Sequence, residues 1–172
     1  AGTITGTFAV NKFGGGVDTV ADTATDAWDG APVTAIYPYP ATALITSISQ
    51  TADQAEMRGA TINVQGLDAR WNPVSQDMVL DASLTTTPVV FSAAGGVALI
   101  RIFRMKVQAN VVSASPIRAH NVGETVDYAI IQTGNNQTLM ALYTVPNGYT
   151  AYMTSLFAST TSDPPKIPAA TE

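Results

Sequence analysis

Apolar and polar residues alternate along this chain in short runs. "ATINVQGLD" (60–68) sets Ile62 and Val64 against Asn63 and Gln65, the period of two expected of a half-buried strand. Similar runs occur at 43–49 (ALITSIS), 77–84 (DMVLDASL), 88–92 (PVVFS), 97–112 (VALIRIFRMKVQANVV) and 124–132 (ETVDYAIIQ). Two more, 137–145 (QTLMALYTV) and 149–157 (YTAYMTSLF), face each other across Pro146-Asn147-Gly148. Pro presets φ, Gly accepts a positive φ, and Asn-Gly is a strong hairpin signal, so these two runs are expected to pair. Turn signals at Asn72-Pro73 and Gly95-Gly96 separate other runs. Residues 51–60 (TADQAEMRGA) carry a weak capping box from Thr51 to Gln54, enough for one helical turn at most and more consistent with a loop. No helix-length crossover is available to join parallel strands. The pattern therefore predicts an all-β, antiparallel β-sandwich or jelly-roll-like fold.

The ends read differently. Residues 1–35 are rich in Gly, Thr, Ala and Asp, with a flexible joint at Gly14-Gly15-Gly16, and are assigned to an extended N-terminal arm or edge segment. "TITGTFAV" (3–10) could form a short strand, weakened by Gly6. "YPYP" (37–40) favours an extended, polyproline-like bend. Residues 36–158 form the β-sandwich domain, and 159–172, with Pro164, Pro165 and Pro168, an extended Pro-rich C-terminal tail. A chain of 172 residues suits one domain and can bury roughly 70% of its extended surface.

Composition strengthens the strand reading. Thr (23), Val (16) and Ile (11) dominate, while Leu, Glu and Lys, the usual filling of helices, total 14. A net charge of −5 speaks against a general nucleic-acid binder, which needs a basic face for phosphates. With no cysteine there is no disulfide, thiolate nucleophile or zinc-thiolate site. No apolar run approaches the ~20 residues that span a bilayer, and no basic-then-apolar leader opens the chain. No nucleic-acid or membrane partner is expected.

Candidate chemistry is sparse. His120 is the sole histidine, and its setting (Arg118 to Gly123) reads as a surface loop rather than a catalytic or metal site. Asp18, Asp22, Asp26 and Asp29 form an acidic comb without the dense spacing of a calcium loop. Glu56 and Glu124 carry no local mark of an acid–base pair. Phosphate-loop and dinucleotide fingerprints are missing, and the sequon Asn136-Gln137-Thr138 matters only in a secreted eukaryotic protein. No catalytic residue, cofactor or metal is predicted, and the chain is not read as an enzyme.

Arg101, Arg104 and Lys106 cluster in one run. Arg104 and Lys106 share a face, either as a solvated strand surface or as a stripe that meets an acidic partner. Strict alternation puts Arg101 with Leu99, Phe103 and Met105, buried and paired with Asp77, Asp81 or Asp127. Tyr37, Tyr39, Trp28 and Trp71 lie in or near loops, where they either pin loops to the core or offer a stacking platform to a sugar.

Four stretches carry a family resemblance: "DAWDGAPVTAIYPYP" (26–40), "GATINVQGLDARWNPVSQDMVLDA" (59–82), "LIRIFRMKV" (99–107) and "GNNQTLMALYTVPNGYTAYMTSL" (134–156). In these the chain resembles small β-rich virion structural proteins of tailed bacteriophages, of the environmental and marine type. The chain departs from that pattern at "NVVSASPIRAHNVGE" (110–124) and lacks the pattern's final strand. The resemblance implies a virion location and no chemistry. The expectation is a capsid decoration, or cement, protein: a homo-trimer bound to the major capsid protein or other virion proteins. Arg101, Arg104, Lys106, Tyr37, Tyr39 and Trp71 are its expected contact residues. The alternative is a tail or fibre component that binds host-surface glycan through Trp71 or Tyr39.

Overall fold

The computed structural model describes residues 9–15, 26–28, 30, 36–108 and 111–157. Within these residues the chain is all-β. The strands are β1 (Ser47–Gln50), β2 (Thr61–Asp68), β3 (Pro73–Val79), β4 (Val89–Val90), β5 (Leu99–Val107), β6 (Ile117–His120) and β7 (Asp127–Ile131). They form a four-stranded sheet in the order β4-β1-β6-β7 and a three-stranded sheet in the order β3-β2-β5, with every pairing antiparallel. Among the described residues the only helical piece is one 3-10 turn, Ala55–Met57, and Gln54 makes no side-chain cap there.

Alternation explains the three-stranded sheet. Ile62 and Val64 of β2 lie opposite Met78 and Gln76 of β3 and Val107 and Met105 of β5. The intervening Asn63 and Gln65 face outward, opposite Lys106 and Arg104. From the other sheet Ile48, Ile117, Ala119, Ala129 and Ile131 join the same buried cluster. The two sheets therefore bury a common core, and an isolated bridge between Ile45 and Leu99 ties them at one corner. Trp28 is only 3% exposed and belongs to that core. This residue, assigned to the arm on sequence, packs inside. Most of residues 1–35 and all of 159–172, the expected arm and tail, lie outside the described residues.

Several expectations are corrected. The hairpin across Pro146-Asn147-Gly148 does not form. A turn is present, with Tyr149 N donating to Pro146 O and Gly148 at φ 80°, but no strand is built on either side of it. The backbone of 136–141 is already engaged on both edges. Val107 N donates to Asn136 O and Thr138 N to Met105 O on one side. On the other, Ala141 N donates to Ala27 O, and Trp28 bridges Met140. A backbone group used once is not free to pair again. The run expected at 77–84 starts earlier, at Pro73, and stops at Val79. Arg118 to His120, the first half of the stretch expected to be a loop (118–123), lie in β6 in the middle of the larger sheet.

Candidate functional site

The outward face of the three-stranded sheet gathers most of the residues singled out on sequence. Strict alternation fails in β5 because the β2–β5 register shifts twice, between Gln65 and Gly66 and between Leu67 and Asp68. Gln65 opposes Arg104, Gly66 opposes Ile102, and Leu67 opposes Arg101, so Phe103 is an extra, bulged residue. Gln65 and Leu67 point to one face, and the bulge therefore brings Arg101 to the same face as Arg104 and Lys106. This corrects the expectation that Arg101 sides with Met105. Among the described residues it also has no carboxylate partner: Asp77 accepts from Asn63 and Gln108, Asp81 from the backbone of Ser83 and Leu84, and Asp127 lies near Arg118.

Arg101 sits instead in an aromatic clamp. Its Nη1 donates to the carbonyls of Pro40 (2.6 Å) and Ile100 (2.7 Å). Its guanidinium carbon lies 4.9 Å from the Trp71 ring centre and 5.4 Å from that of Tyr39. Such stacking is worth about 0.5–2 kcal/mol, depending on desolvation. Tyr39 in turn packs edge-on against Tyr37 (4.9 Å), and Tyr37 against Trp28 (5.1 Å). Tyr37 is buried, and burial pushes its phenol far up; it supports Tyr39 from beneath. Trp71 takes a left-handed backbone (φ 65°) in a tight turn closed by Asp68, which accepts N–H groups from Arg70 and Asn72. Strained non-glycine residues are held where the surroundings over-determine them. Here the clamp and the bond from Asn147 N to Trp71 O do so.

From Gln137 to Asn147 the chain runs beside β5, antiparallel to it. Gln137 bridges Lys106, and Tyr143 stacks on the bulged Phe103 at 4.7 Å. A shallow cleft of about 320 Å³ opens there, lined by Gly66, Val74, Phe103, Tyr143 and Pro146 among others. Beyond it Lys12 donates to the Phe103 carbonyl, and Arg104 holds Gln137 Oε1 through Nε (3.0 Å) and Nη2 (2.5 Å). Lys106 is exposed. Nothing in the sequence marks Lys12 for this role, because the carbonyl it meets is presented by the bulge at Phe103.

His120 is not in a surface loop. It ends β6 and is 1% exposed. Ser49 Oγ lies 3.0 Å from His120 Nε2 and 3.3 Å from Glu124 Oε2, while His120 Nδ1 lies 3.0 Å from the Asn121 carbonyl. Arg118 binds Glu124 at 2.7 Å. Burial pushes the Asp127 carboxyl up, against the pull of Arg118. A serine, a histidine and a carboxylate thus meet, but Ser49 is 0% exposed and Nδ1 faces a backbone carbonyl, not an acid. No substrate atom can reach the hydroxyl as it stands, so the group works as a buried polar network that joins β1, β6 and the following turn.

Of the acidic comb only Asp26 is described, and its carboxylate accepts from Tyr37 N. Among the described residues no cluster of three His, Cys, Asp or Glu could hold a metal, and no helix is long and apolar enough to cross a membrane. The fold defines an all-β chain of two antiparallel sheets with a polar and aromatic outer face. Compared with protein-family models, curated sequences and solved structures, the chain matches none.

Proposed function

We propose that the chain is a structural protein of a bacteriophage virion, most specifically a head decoration or cement protein. In this reading the two sheets form a sandwich that binds and stabilises the capsid shell, as a homo-trimer. One observation carries it. Residues 149–157 leave the body past the Asn147-Gly148 turn and stay exposed throughout, with Tyr152 at 85%, Met153 at 82%, Leu156 at 77% and Phe157 at 92%. Together these four side chains expose apolar surface of the size that marks interaction sites on protein surfaces. The segment is rich in strand formers, and such chains are stabilised by adding to a neighbour. The four stretches that resemble phage virion proteins support the same reading. Arg104 and Lys106 on the outward face suit an acidic shell surface.

The glycan-binding alternative has less support, because the Arg101 guanidinium already stacks on Tyr39 and Trp71, the rings a sugar would use. Light scattering after size exclusion and co-sedimentation with decoration-free capsids test the proposal. The expected result is a trimer that loads the shell in hundreds of copies, with Tyr152→Ser/Phe157→Ser shifting it to monomer. A wild-type monomer at ~100 µM that stays in the supernatant ends this reading, since so large an apolar arm is expected to associate.

A further inference from the structure

The cleft between Lys12 and Arg104 lies on the same outward face but has its own chemistry. It measures about 310 Å³ and is lined by Asn11, Lys12, Phe13, Arg104, Gln137 and Thr138. Two cations face one space, and among the described residues neither is paired with a carboxylate. Both are only partly used. Arg104 gives Nε and one Nη2 hydrogen to Gln137 Oε1, which leaves Nη1 without an acceptor among the described residues, and Lys12 gives one of its three hydrogens to the Phe103 carbonyl. Thr138 is buried, and its Oγ1 accepts from Met105 N, so its own hydroxyl hydrogen has no acceptor among the described residues. Unspent donors on two half-buried cations that line one cleft form the complement of an anion.

We propose that this cleft is an oxyanion-binding site, with Lys12 and Arg104 as the binding pair and Thr138 as a neutral donor. Under the decoration reading, on which this clause rests, the oxyanion is a carboxylate side chain of the capsid shell. Burial and the neighbouring Arg104 charge hold the Lys12 amine down at about 8. An anion between them offsets both effects and raises that value. Binding therefore takes up protons near pH 8 and weakens as pH rises beyond it.

The test is a titration of the intact protein with glutarate and, separately, with inorganic phosphate, each against sodium chloride at equal ionic strength. It is read by NMR at the Lys12 side chain and the Thr138 amide. Saturable shifts are expected, with affinity reduced about tenfold or more in Lys12→Gln and in Arg104→Gln, the loss of one charge-assisted bond. Lys12 lies outside the sheets, so Lys12→Gln keeps the fold and remains informative if Arg104→Gln does not. Shifts no larger than those with chloride, or affinity unchanged in Lys12→Gln, overturn the site. Displacement of the protein from capsids by glutarate supports the carboxylate source, and phosphate binding without glutarate binding overturns it. Saturable glutarate binding by a protein that ignores capsids keeps the site and removes the decoration reading.

Discussion

At Gly66 one added carbon meets backbone. This glycine is buried opposite Ile102 at the first register shift, and a Cβ there would land on the Arg101 carbonyl. A backbone atom cannot step aside as a side-chain tip can. Gly66→Ala is expected to cost about 2 kcal/mol, as overpacking does, and to loosen the Arg101 clamp. Urea denaturation followed by tryptophan fluorescence measures both. Asp53 acts through charge instead. Its carboxylate binds Arg58 and accepts from the backbone and hydroxyl of Thr85, which holds its pKa down at about 2. A depressed carboxyl stabilises the fold fully above its ordinary value near 4, and that contribution fades as pH falls toward about 2. Melting temperature should therefore drop between pH 4 and pH 2. Asp53→Asn should flatten that drop and lower the melting temperature at pH 7. A mutant and wild type that melt in parallel across this range would refute the assignment.

At the scale of elements, β6 shows how neighbours override a local reading. "IRAH" is short, flanked by Pro116 and Gly123, and looks like loop on sequence. Yet β1 pairs with it on one side and β7 on the other, and both edges gain hydrogen bonds. Its last residue, His120, is fixed by Ser49, 71 positions before it on β1. Ser49→Ala leaves a buried ring nitrogen of His120 without its partner and should cost about 1–2 kcal/mol in urea denaturation. A neutral Ser49→Ala would mean that Glu124 replaces the hydroxyl. The run at 149–157 fails in the opposite direction. Its strand propensity is legible, but the partner that a hairpin would supply, 139–145, lies beside β5 instead. Local pattern gives the tendency to be a strand; which edge is free decides whether a strand forms. The first half of β2 needed no such arbitration, because Ile62 and Val64 alternate with Asn63 and Gln65 and only one facing buries them; beyond Gln65 the alternation breaks and the register with β5 shifts.

For the whole molecule, forked side chains and scarce Leu, Glu and Lys were enough to dictate an all-β, antiparallel chain, because these follow from backbone sterics and period-two burial, which act locally. The same local terms made Arg104 and Lys106 share an outward face. Tertiary structure alone decided the division into four and three strands, the burial of Trp28 and His120, and the turning of Arg101 outward into its clamp. Each of these depends on residues far apart in sequence: a bulge at Phe103 set against Gly66, a segment near 140 lying between β5 and Trp28, a serine on β1 reaching a histidine on β6. No window of the sequence contains both partners of such a contact, so alternation could be read from the chain while the shifts in register that place the candidate site could not.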